Sequence, residues 1–433
     1  MSFLKALWTH PRLKFFQASF LMLCASVGGG VFTTLTNAAI WRFCQKSSPD
    51  DYTTLTALRE ALTQFMIPIM GIQTAFAQLA AKHDTETNPS PVSGALRGQV
   101  RGIALYWFAI AGLMLMFQSD ILTSFKISDR NQLWVAWCYG WLLLLSPGFF
   151  GVIQGRQNFT GFAIAKISGD VGMLIGVVVV MGLLLPTATG AMGGLGAGTL
   201  LGFLVIAYLT RRDWQATPQP FRLWGFLKHF IPLTLGVGVI TYMFTADILV
   251  VSQYFKDNSA HYTAARTLGK AVIFLVAPVS LAMFPSIARS AARSESTPVL
   301  MQALGITAAV GSCAALMCTL FPEQLLGILF PNATAMGAAP LVPLFAWSLL
   351  PLAVASLLIN NLLARERYGV VPWMLLVPVS YFLTLHYWHP SLRSVIQSLG
   401  IHSLAVLLLL LVFTWKENRR VVGQPRIDAN KRE

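Results

Sequence analysis

Charge is what this 433-residue sequence has least of: 11% of its residues are Asp, Glu, Lys or Arg, against 55% hydrophobic. A water-soluble surface needs roughly 25% charge, so a soluble globule is excluded. Acids are the scarcer sign, 17 against 31 Lys plus Arg, leaving a net charge of +14. The five cysteines, Cys24, Cys44, Cys138, Cys313 and Cys318, show no metal-ligand spacing, and most lie in apolar runs where a small thiol packs as a hydrophobe. Long polar loops are missing too. Their lack excludes the outer domain or catalytic loop of a membrane polymerase or glycosyltransferase, so the chain reads as no enzyme. Ahead of the first apolar run, MSFLKALWTH has no small-residue cleavage site, and no removable signal peptide is expected.

What the sequence does have is a succession of apolar runs of about 20 residues, the length that crosses ~30 Å of hydrocarbon as a helix. Twelve spans are expected, at 15–40, 53–80, 101–124, 133–153, 160–185, 187–210, 225–254, 262–287, 299–321, 338–363, 369–388 and 396–415. Cytoplasmic loops retain Lys and Arg. Alternate connections hold Lys82, Arg97 and Arg101, then Arg156, then Arg211, Arg212 and Arg222, then Arg289 and Arg293, then Arg365 and Arg367, whereas 185–192 and 322–337 hold none. Both termini are therefore expected in the cytoplasm, and the positive charge is topological, with no nucleic-acid partner. The fold class is an all-α polytopic membrane protein.

Sliding the chain along itself by 210 positions pairs Gly28 with Gly238, Asn37 with Asp247, Tyr52 with Tyr262, Thr53 with Thr263, Leu58 with Leu268, Ala61 with Ala271 and Pro68 with Pro278. With nearly the same shift, QGRQNF at 154–159 falls on LARERY at 363–368. Two halves of six spans enter the membrane in the same direction, so a pseudo-twofold along the membrane normal is expected, with a cleft between two lobes, the arrangement of an alternating-access transporter. The domains expected are a lobe over 1–212, a linker broken by Pro218 and Pro220 over 213–223, a second lobe over 224–415 and a basic tail over 416–433. The matched Pro68 and Pro278 read as functional bends. GAMGGLGAGTLLG at 190–202 lacks the spacing and preceding strand of a phosphate loop, and reads as a surface for close helix packing.

An ionised residue at the bilayer centre costs on the order of 3 kcal/mol or more, so those within spans are functional candidates. They are Arg59, Glu60, Lys166, Asp170, Asp247, Arg266 and Lys270. Glu60 and Lys270 each follow their matched tyrosine by eight residues, which at 1.5 Å per residue puts them ~12 Å deep. The repeat sets them on opposite walls of one cleft. Lys166 and Asp170, four apart, can pair on one helix face, and so be either structural or functional. Arg266 and Lys270, also four apart, repel each other and need an anionic partner unless Arg266 snorkels to the interface. His386, His389 and His402 are too near water or too isolated for a metal. Asp50 or Asp51 reads as a helix cap for the second span.

FTADILVVSQYFKDNSAHYTAARTLGKAVIFLVAPVSLAMFPSIAR at 244–289 resembles the seventh and eighth helices of polysaccharide-transporter flippases of the multidrug/oligosaccharidyl-lipid/polysaccharide (MOP) superfamily. SPDDYTTLTALREALTQFMIPIMGIQTAFAQLAAKH and GVIQGRQNF look like that family's second helix and fourth-to-fifth connection. His261 and the FKDNS turn depart from the family pattern. The resemblance implies a multi-pass bacterial inner-membrane protein that moves undecaprenyl-diphosphate-linked oligosaccharide, such as an O-antigen repeat unit, to the periplasmic leaflet. Membrane lipids, and a polymerase and glycosyltransferases of the same pathway, would be its partners. Arg59, Lys166, Arg266 and Lys270 would bind the diphosphate or acidic sugars. Glu60, Asp170 and Asp247 would couple transport to a proton or sodium gradient, with no cofactor. The alternatives are a multidrug and toxin extrusion antiporter, which should present an acidic cleft where the first span here offers only Asn37, and a flippase for the peptidoglycan precursor, whose relatives have two further helices.

Overall fold

In the computed structural model, residues 11–47, 55, 58, 59, 62, 70–82, 90–124, 129–220, 223–255, 259–292, 299–329 and 333–423 are described. All regular structure among them is helical. Ten helices are long and apolar enough to cross a membrane, from Gln17–Cys44 to Leu392–Glu417, and a shorter apolar helix covers Phe230–Met243. The helices present large apolar side chains outward, Leu105, Leu183 and Ile328 among them, each at least three-quarters exposed. That is the surface of a multi-pass membrane protein. Most of the second expected span, with Glu60 and Pro68, lies outside the described residues, as do Asp50 and Asp51.

Contacts divide the chain into two compact units. The first comprises 1–234 and 281–300, the second 235–280 and 301–433. The helices needed below are α1 (Pro11–Ser47), α2 (Met70–Lys82), α3 (Ser90–Met116), α4 (Arg130–Gly155), α5 (Phe159–Val179), α6 (Ala188–Leu209), α7 (Arg211–Gln215), α8 (Leu223–Met243), α9 (Asp247–Tyr254), α10 (Ser259–Gly269), α11 (Ala271–Ala292), α12 (Val299–Leu320), α13 (Val342–Ala364), α14 (Val371–Tyr387) and α15 (Leu392–Gly423). The seventh expected span is therefore interrupted at 244–246, while the eighth runs on through Lys270.

Short polar side chains start several helices. Asp129 accepts the Asn131 amide at 2.9 Å and the Thr189 hydroxyl at 2.7 Å, tying the start of α4 to α6. Asn158 caps α5 through the Gly161 amide at 2.9 Å. In the first unit α5 and α6 pack through glycines, as the small-residue run suggests. A methyl at Gly198 would lie 2.0 Å from the Met173 nitrogen, and one at Gly176 2.4 Å from the Gly194 carbonyl oxygen.

The internal repeat recurs as a backbone motif. Gln157 and Glu366, 209 positions apart, are the two described non-glycine residues with positive φ, at 60° and 59°. Around each, the same pair of bonds closes the preceding helix. Gln157 N donates to Gln154 O and Asn158 N to Ile153 O; Glu366 N donates to Leu363 O and Arg367 N to Leu362 O. This is a Schellman C-cap, a position that ordinarily takes glycine because a side chain there costs ~1–2 kcal/mol.

The glycine packing is testable with one added methyl. Gly198→Ala should lower the thermal unfolding midpoint of the solubilised protein by the equivalent of roughly 3 kcal/mol, the upper end of overpacking costs. Gly196→Ala, whose methyl would meet Tyr139 Cβ at an ordinary 3.8 Å, should leave it no lower, and raise it slightly because alanine is the better helix former. Equal midpoints would remove the packing role.

Candidate functional site

In the second unit a helix interruption in the seventh span, facing the eighth, builds a charged site. Helix α8 ends at Met243, Phe244–Ala246 form a turn, and α9 starts at Asp247. The eighth span keeps its four-residue bonds through Lys270, whose N donates to Arg266 O at 3.0 Å and whose O accepts from Phe274 N at 3.1 Å, with Ile273 N sharing that oxygen at 3.0 Å. Non-helical backbone at membrane depth is tolerated where other groups satisfy it. Here Arg266 Nη2 donates to Phe244 O at 2.8 Å.

Asp247 is 1% exposed. Arg266 Nε lies 3.0 Å from both of its carboxylate oxygens, and the buried Tyr262 hydroxyl donates to Oδ2 at 2.8 Å. Tyr262 is wedged edge-on against Phe345 of α13, with ring centroids 4.9 Å apart. The Lys270 ammonium sits over the Phe244 ring, 5.3 Å from its centroid, a cation–π contact. Phe244 thus serves both cations, one through its carbonyl and the other through its ring. Tyr381 of α14 is fully buried within electrostatic reach of Asp247 and Arg266, and its hydroxyl has no hydrogen-bond partner among the described residues.

This arrangement supplies the anionic partner that Arg266 is expected to need. Arg266 and Lys270 have no acid beside them in sequence, yet Arg266 needs no external anion, because Asp247, 19 positions earlier, turns back to meet it. Nor does Arg266 snorkel: its side chain is 13% exposed.

The first unit carries two further pairs. Arg59 Nη1 donates to Asn37 Oδ1 at 2.8 Å, with buried Tyr139 near Arg59 and bonded to Thr199. Asn37 and Asp247 are the matched residues of the repeat, so each half joins its first helix to an arginine of its second. Lys166 Nζ and Asp170 Oδ2 pair at 3.2 Å along α5, as their spacing suggests. Gly29 of α1 makes room for them, since a methyl there would lie 2.3 Å from Asp170 Oδ2. The described residues thus place Arg59, Lys166 and Asp170 in one unit, and Asp247, Arg266 and Lys270 in the other.

One cluster that the spans do not predict lies at the end of the first unit that carries basic loops. Asp213 of α7 is fully buried and forms an ion pair with Arg156, the C-cap of α4. Burial pushes its carboxyl up to about 6, against the opposing pull of Arg156. The neighbouring residues of the α4–α5 connection hold the C-terminal half of α11. Gln154 Nε2 donates to Leu281 O at 2.9 Å, Gln157 Nε2 to Ser286 Oγ at 2.7 Å, and Arg289 Nη2 to Gly155 O at 3.5 Å. Tyr262, Phe244, Tyr381 and Asp213 carry no sequence signal for these roles beyond the tyrosine of the repeat. No group of three or more His, Cys, Asp or Glu among the described residues is placed to hold a metal.

No protein-family model matches the chain, and no curated protein sequence does. Solved structures do. The chain is similar to a multidrug resistance MATE family transporter of the MOP superfamily in an outward-facing conformation, at 12% identity and TM-score 0.77, covering 96% of this chain and 97% of that one. A Vibrio cholerae MATE transporter matches at 15% identity and TM-score 0.79 over 95% and 98% of the two chains. A eukaryotic MATE transporter matches at 13% identity and TM-score 0.72 over 94% and 97%. The fold is thus that of MATE transporters, an architecture of about twelve membrane helices.

The Asp247–Arg266 pair can be tested as a unit. Removing one partner of a buried pair costs about 3–5 kcal/mol, whereas replacing both with apolar residues is often neutral. Asp247→Leu should therefore lower the unfolding midpoint strongly, and Asp247→Leu with Arg266→Met should recover most of the loss. With Arg266→Met alone completing the cycle, a double-variant loss equal to the sum of the two single losses would show the two side chains to be uncoupled.

Proposed function

We propose that the chain is a secondary transporter of a bacterial cytoplasmic membrane that works by alternating access, exporting an organic solute in the manner of the multidrug transporters whose fold it shares. The observation that carries this reading is the likeness to MATE structures over nearly the whole of both chains. The domain plan of lobes over 1–212 and 224–415, with both termini cytoplasmic, goes with it.

Asp247 is the coupling group in this reading, with Asp170 as its counterpart in the first half. The geometry at Asp247 favours a proton over sodium. Both carboxylate oxygens face the Arg266 guanidinium at 3.0 Å, and a metal cation would have to displace it against like-charge repulsion. A proton needs no such displacement. Once Asp247 is neutral, Arg266 keeps its bond to Phe244 O and loses its counter-ion, so it can take up an anionic group in exchange.

Charge favours a second reading, the flipping of undecaprenyl-diphosphate-linked oligosaccharide. The described candidate site residues are four bases, Arg59, Lys166, Arg266 and Lys270, against two acids, Asp170 and Asp247. An excess of positive groups suits an anionic headgroup better than an organic cation.

Reconstitution separates the two. Proteoliposomes with an imposed proton gradient should export an organic dye under the first reading, and scramble a diphosphate-linked glycan across the bilayer under the second. In either case Asp247→Asn should lower gradient-driven transport at least about tenfold, the cost of losing ~1.4 kcal/mol of coupling. Lys270→Ala should weaken glycan transport and spare the dye. Transport indifferent to proton and sodium gradients alike would end the coupling role.

A further inference from the structure

We propose that Asp213 is a proton sensor that sets how firmly the α4–α5 connection grips the C-terminal half of α11. The five-residue α7 packs against α3 and α6, and the strand of linker after it is strapped down. Ser93 Oγ donates to Ala216 O at 2.7 Å, Arg97 Nη2 donates to Trp214 O and Ala216 O at 3.3 Å each, and Gln219 N donates to Ser90 O at 3.2 Å. This strap holds Asp213 fully out of solvent. One carboxylate oxygen meets Arg156, and the other accepts no hydrogen bond from the described residues. A carboxylate half satisfied and wholly buried is better accommodated without its charge.

The charged groups around it are all arginines. Helix α3 brings Arg97 and Arg101, α6 brings none, α7 itself has Arg211, turned onto the Tyr208 ring at 4.1 Å, and Arg212, and α4 supplies Arg156. Arginine stays protonated throughout the physiological range. Asp213 is thus the group here that changes charge near neutrality.

Arg156 transmits the change because it lies between Gln154 and Gly155 on one side and Gln157 on the other, the three residues that bond α11. Gln157 holds its bond to Ser286 from a left-handed backbone at φ 60°, a conformation that persists only while its surroundings enforce it. Loss of packing around Arg156 would be felt there first.

The direction follows from linkage. The carboxyl stands at about 6 when packed, above its ordinary 3.8. The packed arrangement therefore takes up a proton that a released, solvated Asp213 would not hold. Acid favours packing, and the grip weakens as pH rises from 3.8 through 6, up to roughly a hundredfold in equilibrium. On the transporter reading this end faces the cytoplasm, so acidification there would tighten the grip and slow the cycle.

Hydrogen–deuterium exchange of the full chain in nanodiscs, corrected for intrinsic rates, tests this between about pH 3.5 and 8. Peptides over 152–160, 210–216 and 281–290 should hold a constant protection above about 6 and gain protection progressively as pH falls from there toward 3.8. Asp213→Asn should be protected and flat across the range. Arg156→Gln, which removes the opposing positive charge, should move the midpoint to higher pH even if the first variant does not fold. A flat wild-type profile, an Asp213→Asn profile that follows the wild type, or an unmoved midpoint in Arg156→Gln would overturn the sensor. Because exchange is read and not transport, such a result leaves the transporter reading standing, and failed transport with an intact profile does the reverse.

Discussion

Asp247 is 1% exposed on a segment that crosses hydrocarbon, and it is accommodated there because Arg266 and Tyr262 meet its two oxygens at 2.8–3.0 Å. The desolvation of an unpartnered ion would cost several kcal/mol. Much of the irregularity of the second unit follows from this requirement. Arg266 reaches the carboxylate and a backbone carbonyl together only because the seventh span breaks at Phe244–Ala246 and releases that carbonyl. The break in turn sets the Phe244 ring under Lys270. A regular helix at 244–246 would keep that carbonyl within the helix and leave Arg266 with one partner fewer.

The same requirement is met differently in the first half. Where the repeat puts Asp247, the matched residue is Asn37, which offers Arg59 an amide oxygen but no charge. Compensation in that unit is built along α5, where Lys166 and Asp170 pair, and α1 gives up a side chain at Gly29 to admit them. The two halves share a backbone plan, down to the left-handed cap at Gln157 and Glu366, while their charges have diverged. The charges follow each unit's own packing.

Composition and periodicity made the membrane class and most of the spans legible, because hydrocarbon imposes length and apolarity on each helix separately. The GAMGGLGAGTLLG run and the Lys166–Asp170 pair were legible for a related reason: both are contacts between neighbours in sequence or between adjacent helices. The partner of Arg266 was not. It lies 19 positions back, across a turn, and the pairing depends on a helix break that no proline marks. Phe244 was likewise invisible as a ligand, since its carbonyl and ring act through geometry and not through side-chain type. Asp213 was read as linker, as its surroundings in sequence are arginines and prolines, and only the strap to α3 reveals that it is buried.

The left-handed caps show how position constrains residue choice beyond the membrane. Glycine at 157 would relieve the ~1–2 kcal/mol of backbone strain, and it would also delete the bond to Ser286 at 2.7 Å. A net hydrogen bond contributes about 0.5–1.5 kcal/mol, so the exchange roughly breaks even in stability. What glutamine adds is a directed tie to α11 that glycine cannot make. Because that tie is nearly neutral in energy, it can be held or released by modest changes nearby, and the buried ion pair one residue earlier is such a change.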